Sequence, residues 1–229
     1  MVLQAEEGRL TTPAVRVLVA TAVPAERDAV AQAFTGGFPG DVLAVGVGPA
    51  RAAATTATAL ARASYDLVIS AGIAGGFQPS APVGSLVVAD EITAADLGAE
   101  TPDGFLPVTE LGFGTVTHRP PESLVRDVAA ATGARAGAVL TVSTVTGTAA
   151  RAAALLDRHP TALAEAMEGF GVAEAAAAHG VPVLEIRAVS NPVGPRDRAA
   201  WRIGDALAAL TEGFGKLAPV LESWNRHDR

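Results

Sequence analysis

The chain predicts a single-domain α/β fold built on a largely parallel sheet, and three observations support it. Short runs rich in branched apolar residues, VRVLVA (15–20), DLVISA (66–71) and VPVLEIRAV (181–189), lack the polar alternation of a half-exposed strand. They read as strands buried on both faces. Ala-rich segments of helical composition separate them, and strands alternating with helices give parallel β-α-β units. Neither an internal repeat nor a linker divides the sequence.

The 229 residues suffice for a sizeable core, which Ala, Val and Leu must fill, since 49% of the chain is apolar but only 4% aromatic. A formal charge of −7 argues against non-specific nucleic-acid binding. The absence of cysteine excludes disulfides, Cys-ligated metals and thiol nucleophiles and suits a reducing compartment. No apolar run reaches the roughly 18 to 20 residues that span a bilayer, and the acidic start MVLQAEEGRLTTP lacks a signal-peptide pattern. The expectation is a cytoplasmic protein with a flexible leader over 1–13 and one domain over 14–229.

Strand 15–20 leads into a helix over 25–34, whose first turn Pro24 suits. Glu26 lies near the positive end of that helix dipole. It reads either as a helix-start charge or as a base projecting over the strand ends. A turn at 36–40 and a strand at 42–47 follow. GVGPAR then enters a helix over 50–64; it is not GxGxxG, so a tight turn is favoured over a dinucleotide site. The strand at 66–71 ends in Gly72-Ile73-Ala74-Gly75-Gly76, a glycine-rich turn able to approach a ligand closely.

A strand at 84–90 precedes a loosely patterned loop, 94–121, which contains His118 as a solvated side chain. No second histidine stands at metal-ligand spacing, so no metal is expected. Helices over 122–132 and 149–158 flank a strand at 138–145. Segment 162–167 is open between helix, which its Ala and Glu favour, and strand. After a helix over 169–179, the strand from 181 must stop at Ser190-Asn191-Pro192, because Pro192 donates no ladder bond. A long amphipathic helix over 199–224 closes the chain, with Trp201, Leu207, Leu210, Leu217 and Leu221 as its inner side. Open α/β sheets bind ligands beyond the carboxyl ends of their strands, which points to Asn191 and the Arg196-Asp197-Arg198 cluster.

Several segments together resemble the purine nucleoside phosphorylase/hydrolase superfamily, in particular its nucleosidase branch. They are ATAVPAERDAV (20–30), VGVGPARAA (45–53), VISAGIAGGF (68–77), GSLVVADE (84–91), AEAMEGFGVAEAA (164–176) and EIRAVSN (185–191). The resemblance implies a three-layer α/β/α domain with a mixed sheet, assembled as a homo-oligomer, and makes 162–167 a strand. It implies cleavage of the N-glycosidic bond of a purine nucleoside without a cofactor. Glu26 would activate the attacking water, Glu168 would bind the ribose hydroxyls, and Met167 would pack against the sugar. Gly72, Ile73 and Phe170 are further candidates for lining the pocket.

Two departures narrow the expectation. Adenine-specific nucleosidases of the family carry an aspartate where this chain has Asn191. An amide cannot supply a proton but can both donate and accept hydrogen bonds. That suits a 6-oxopurine leaving group, and SNPVGPRDR resembles the matching segment of the futalosine hydrolases, which release hypoxanthine in menaquinone synthesis. The alternative makes Asn191 a turn cap and Asp197 the acid. Secondly, related phosphorylases place a phosphate-gripping arginine where Ser70 stands, so water is the expected nucleophile. Arg196 and Arg198 are candidates for a substrate carboxylate, or else partners of Asp197. The rival expectations are a methylthioadenosine/S-adenosylhomocysteine nucleosidase, a phosphorylase and a nucleoside-binding module without catalysis.

Overall fold

The computed structural model describes residues 15–34 and 40–224. The expected leader and nearly all of the turn at 36–40 lie outside those residues. The elements run β1 (Val17–Thr21), α1 (Pro24–Gln32), β2 (Gly40–Ala44), α2 (Pro49–Arg62), β3 (Leu67–Gly76) and β4 (Leu86–Ala94). The small strands β5 (Gly98–Thr101), β6 (Gly104–Pro107) and β7 (Thr117–His118) follow. Next come α3 (Glu122–Thr132), β8 (Arg135–Thr141), α4 (Ala149–Arg158), β9 (Ala162–Ala166) and α5 (Gly169–Ala178). The chain continues with β10 (Val183–Pro192), α6 (Ile203–Gly215) and α7 (Ala218–Ser223). No described helix is long and apolar enough to cross a membrane.

The main sheet is mixed, in the order β10-β4-β8-β9-β3-β1-β2, with β7 beside β4. Pairs β1–β2, β1–β3, β3–β10, β4–β8 and β8–β9 are parallel, whereas β4–β10 and β3–β9 are antiparallel. Because β10 pairs with both β3 and β4, the strands β3, β10, β4, β8 and β9 close into a ring. Strands β1 and β2 extend from it as an open wing. Side chains alternate between the faces of this sheet. Leu18, Ala20, Val68 and Val189 pack with Ala52 and Leu60 of α2 and with Val172 and Ala176 of α5. Val17, Val19, Ile69 and Ile186 pack oppositely, with Val30, Val128, Leu210 and Leu221 of α1, α3, α6 and α7. This is the three-layer arrangement that the family resemblance implies.

The structure departs from the sequence reading in several places; the strands expected at 42–47 and 138–145 lie earlier, at Gly40–Ala44 and Arg135–Thr141. Residues 72–76 are not a turn but the second half of β3, because β10 and β9 supply ladder partners on either side. Strand β10 ends at Pro192, within the expected Ser190-Asn191-Pro192, but reaches it through a bulge between Val189 and Asn191 that the sequence reading did not include. The closing helix is interrupted, by a 3-10 turn at Arg198–Ala200 and again between α6 and α7. The loop at 94–121 contains the β5–β6 hairpin and β7. His118 is not merely solvated, since its Nε2 lies 2.7 Å from Glu174 Oε1 and its ring 5.3 Å from that of Phe170.

Candidate active site

Three acidic side chains from separate parts of the chain converge on Arg187, in the middle of β10. Glu26 sits in the first turn of α1, just beyond the end of β1, and is 4% exposed. Its Oε2 accepts hydrogen bonds from the N–H groups of Ala22 (2.9 Å) and Val23 (3.2 Å). Its Oε1 accepts from the N–H of Ile73 on β3 (2.9 Å). Ile73 therefore acts through its backbone, and three donors set the carboxylate's orientation. A Cβ on Gly72 would lie 2.6 Å from Glu26 Oε1 and 2.7 Å from Arg187 Nη1. The glycine is needed here for close approach, not for turn geometry.

Glu168 lies between β9 and α5 and is also buried. Its Oε1 accepts from the Gly48 N–H at 3.1 Å, and its Oε2 is 3.6 Å from Arg187 Nη1. Gly48 has φ +87°, a conformation open to glycine, and so the GVGP segment delivers a backbone donor to the second carboxylate. Met167 beside it is half-buried.

Glu185 and Arg187 complete the cluster, and sequence reasoning assigned neither a role. Arg187 is 1% exposed; its Nε donates to Glu185 Oε1 at 2.8 Å and its Nη2 to Ser70 Oγ at 3.1 Å. Burial alone would lower the Arg187 pKa, but the carboxylates of Glu185, Glu168 and Glu26 outweigh it and the net shift is upward. Burial raises the pKa of Glu185, opposed by Arg187 and reinforced by the negative charge of Glu168. A Cβ on Gly169 would fall 2.1 Å from Glu185 Oε2, so this carboxylate also occupies space that only glycine leaves free. The available signal was a charged pair at i and i+2 in an otherwise apolar strand. Such a pair puts both charges on one buried face, where they must have partners.

The remaining candidates lie around this cluster with looser ties. Asn191 is half-buried four residues beyond Arg187 on the same strand, level with Gly75 of β3. Its Nδ2 donates to the Pro192 carbonyl at 3.0 Å and its Oδ1 is 2.9 Å from Ser190 Oγ. Phe170 is buried in the core behind Glu168, its N–H donating to Thr141 Oγ1. Arg196 and Arg198 are exposed, with their guanidinium carbons 5.7 and 5.9 Å from the Trp201 ring centroid. Among the described residues neither pairs with Asp197, which accepts from the Ala199 N–H instead.

The site thus offers three buried carboxylates and a guanidinium in one cluster, with an amide further along the same strand. Comparison with known proteins gives this arrangement its context. Residues 16–221 match the model of the phosphorylase superfamily. The chain is 72% identical to a futalosine hydrolase of Streptomyces coelicolor, over 93% of this chain and 99% of that protein. It is 36% identical to a futalosine hydrolase of Thermus thermophilus, over 76% of this chain and 79% of the relative. A methylthioadenosine/S-adenosylhomocysteine nucleosidase from Neisseria meningitidis, solved in complex with methylthio-immucillin-A, superposes with a TM-score of 0.76. It covers 90% of this chain and 99% of its own, at 19% identity, and so speaks for the fold alone. The chain belongs to the phosphorylase superfamily, and within it to the futalosine hydrolase family.

Proposed function

We propose that this protein is an N-glycosidic hydrolase that cleaves futalosine with water, giving hypoxanthine and dehypoxanthinyl futalosine. The observation that carries the reading is the pair of buried carboxylates, Glu26 and Glu168, held by backbone donors on either side of Arg187. The 72% identity to a futalosine hydrolase supports the choice of substrate.

In the proposed mechanism water lies against Glu26, which accepts a proton as the water oxygen bonds to C1′ of the ribose. The C1′–N9 bond breaks, and its electron pair leaves with the base. Glu168 accepts hydrogen bonds from the ribose hydroxyls, and its charge stabilises the positive sugar of the transition state. Met167 packs on the sugar. Asn191 turns its amide from Pro192 to the base and donates to it; negative charge spreads to O6, and the base takes up a proton on release. Arg187 compensates the negative charge of Glu26 and Glu168 where the fold brings them together.

Hydrolysis is favoured over phosphorolysis by what surrounds Ser70. This position, where related phosphorylases resemble one another in carrying arginine, is fully buried, and its hydroxyl accepts from Arg187. Arg196 and Arg198, exposed beside Trp201, are the proposed partners of the substrate's carboxylate. We place the reaction in menaquinone synthesis in the cytoplasm, and the enzyme as a homo-oligomer.

The test is incubation of the purified protein with futalosine, inosine and methylthioadenosine, with and without phosphate, identifying the released base and sugar. Hypoxanthine from futalosine without phosphate is the expected result. Adenine release from methylthioadenosine with futalosine untouched would overturn the substrate, and strict phosphate dependence would overturn hydrolysis.

A further inference from the structure

One buried carboxylate lies outside the cluster around Arg187 and has no part in the mechanism above. Glu165 stands in β9, in the otherwise apolar run ALAEA, and is 6% exposed. Among the described residues it forms no ion pair, and its hydrogen bonds all go to one residue. Its Oε1 accepts from the Thr146 N–H at 2.7 Å and its Oε2 from the Thr146 hydroxyl at 2.5 Å. Burial raises its pKa, which these two bonds and the more distant charge of Arg151 only partly offset. A carboxylate in such a place costs several kcal/mol of desolvation, which the fold alone does not require, because an apolar side chain would fill the strand.

Its place in the sheet connects it to the site. The register sets Leu140, Glu165, Gly75 and Asn191 in one row across β8, β9, β3 and β10. Directly paired residues present their side chains to the same face of a sheet, so Glu165 and Asn191 share a face, two strands apart, and the Val193 side chain fills the space over Gly75 between them. The segment that Glu165 holds is the loop joining β8 to α4. The loop leaves β8 beside the strand end that bears Met167 and Glu168: Val142 N–H donates to the Ala166 carbonyl, and Thr141 Oγ1 accepts from the Phe170 N–H. Of residues 143–148 only Thr146 is buried; the others are exposed. Asp96 makes a second tie by accepting from the Ser143 N–H at 2.7 Å.

We propose that Glu165 is a positioning residue for recognition of the base: by clamping Thr146 it fixes the β8–α4 loop, which leaves the sheet beside Met167 and Glu168, as a wall of the base subsite. The proposal rests on the nucleosidase reading of Glu26, Glu168 and Asn191. Two acceptor oxygens are needed to take an N–H and an O–H from one residue. Glutamine offers only one acceptor and sets an NH₂ against the other donor. The wall that the clamp holds then decides how tightly the base is bound, while the sugar chemistry proceeds at the carboxylates around Arg187.

The test uses the full-length chain and the variants Glu165→Gln, Thr146→Val and Thr146→Ser. Initial rates with futalosine give kcat and KM; calorimetry gives the affinities of hypoxanthine and adenine, and thermal melting monitors folding. Glu165→Gln and Thr146→Val are expected to raise KM and weaken hypoxanthine binding by about tenfold or more, with kcat within roughly threefold of wild type. Thr146→Ser, which keeps both donors, is expected to restore wild-type values. If Glu165→Gln does not fold, the contrast between Val and Ser at 146 carries the test. Folded variants with wild-type KM and base affinity overturn the proposal, as does a loss confined to kcat. Wild-type protein that releases no base from futalosine would instead overturn the reading on which it rests.

Discussion

Glu26 and Asn191 differ in how firmly the unliganded chain holds them, and this separates their predicted behaviour. Three backbone N–H groups fix Glu26 in place. Glu26→Gln keeps the size of the side chain but removes the proton acceptor. Turnover is expected to fall by about 10²–10⁴-fold, the usual worth of a general base, with ligand affinity changed far less. Single-turnover rates set against equilibrium binding of dehypoxanthinyl futalosine check this, and a wild-type rate would remove Glu26 from the mechanism. Asn191, by contrast, has among the described residues side-chain hydrogen bonds only to its neighbours Ser190 and Pro192. Asn191→Asp is expected to lower kcat/KM for futalosine, because a carboxylate repels the charge gathering on O6. An unchanged value would show that the amide does not contact the base.

At the scale of elements, glycine decides how closely segments approach. Helices α2 and α5 pack where a Cβ on Gly171 would fall 2.1 Å from the Pro49 carbonyl oxygen. Gly171→Ala must push the two helices apart, since the obstacle is backbone, and is expected to cost about 1–3 kcal/mol in urea denaturation. The same shift moves Gly48 away from Glu168, so kcat/KM should fall with stability. Elements were largely legible in the sequence where their periodicity was strong. Helices α3 and α4 and strand β9 lie as expected, the last on resemblance and against propensity. The half of β3 after Ala71 was not legible, because GIAGG reads as a turn until strands on both sides are known to pair with it. The break in the closing helix was equally hidden, since the apolar spacing continues through it.

For the molecule as a whole, closure of the ring around β10 makes buried charge the dominant electrostatic feature. Arg187 faces Glu185 and Glu168 with Glu26 nearby, so Arg187→Met leaves carboxylates buried without their counter-charge. A loss of about 3–5 kcal/mol is expected, with part recovered in Arg187→Met/Glu185→Leu, as denaturant midpoints would show. Buried acids also shape the dependence of stability on pH. The folded pKa of Glu165 is raised above its ordinary 4.5. The native state therefore holds that proton more tightly than the unfolded chain does. The resulting stability is fully present below the unfolded value and is lost as pH rises through the folded one. Melting temperatures of wild type should fall across that window, and Glu165→Gln should flatten the slope; equal slopes would contradict the assignment.

The sequence by itself determined the alternation of buried strands and helices, the absence of thiol chemistry, and the glutamate, methionine and asparagine positions that carry the family resemblance. These are local patterns of residue type, readable without knowing what lies opposite. Only the tertiary structure decided that Glu26 and Glu168 share one guanidinium, that Gly72 and Gly169 leave space for carboxylates, and that Glu165 grips a loop in line with Asn191. Each depends on which strand lies beside which. Strand pairing joins residues far apart in the chain through backbone hydrogen bonds that no local pattern encodes.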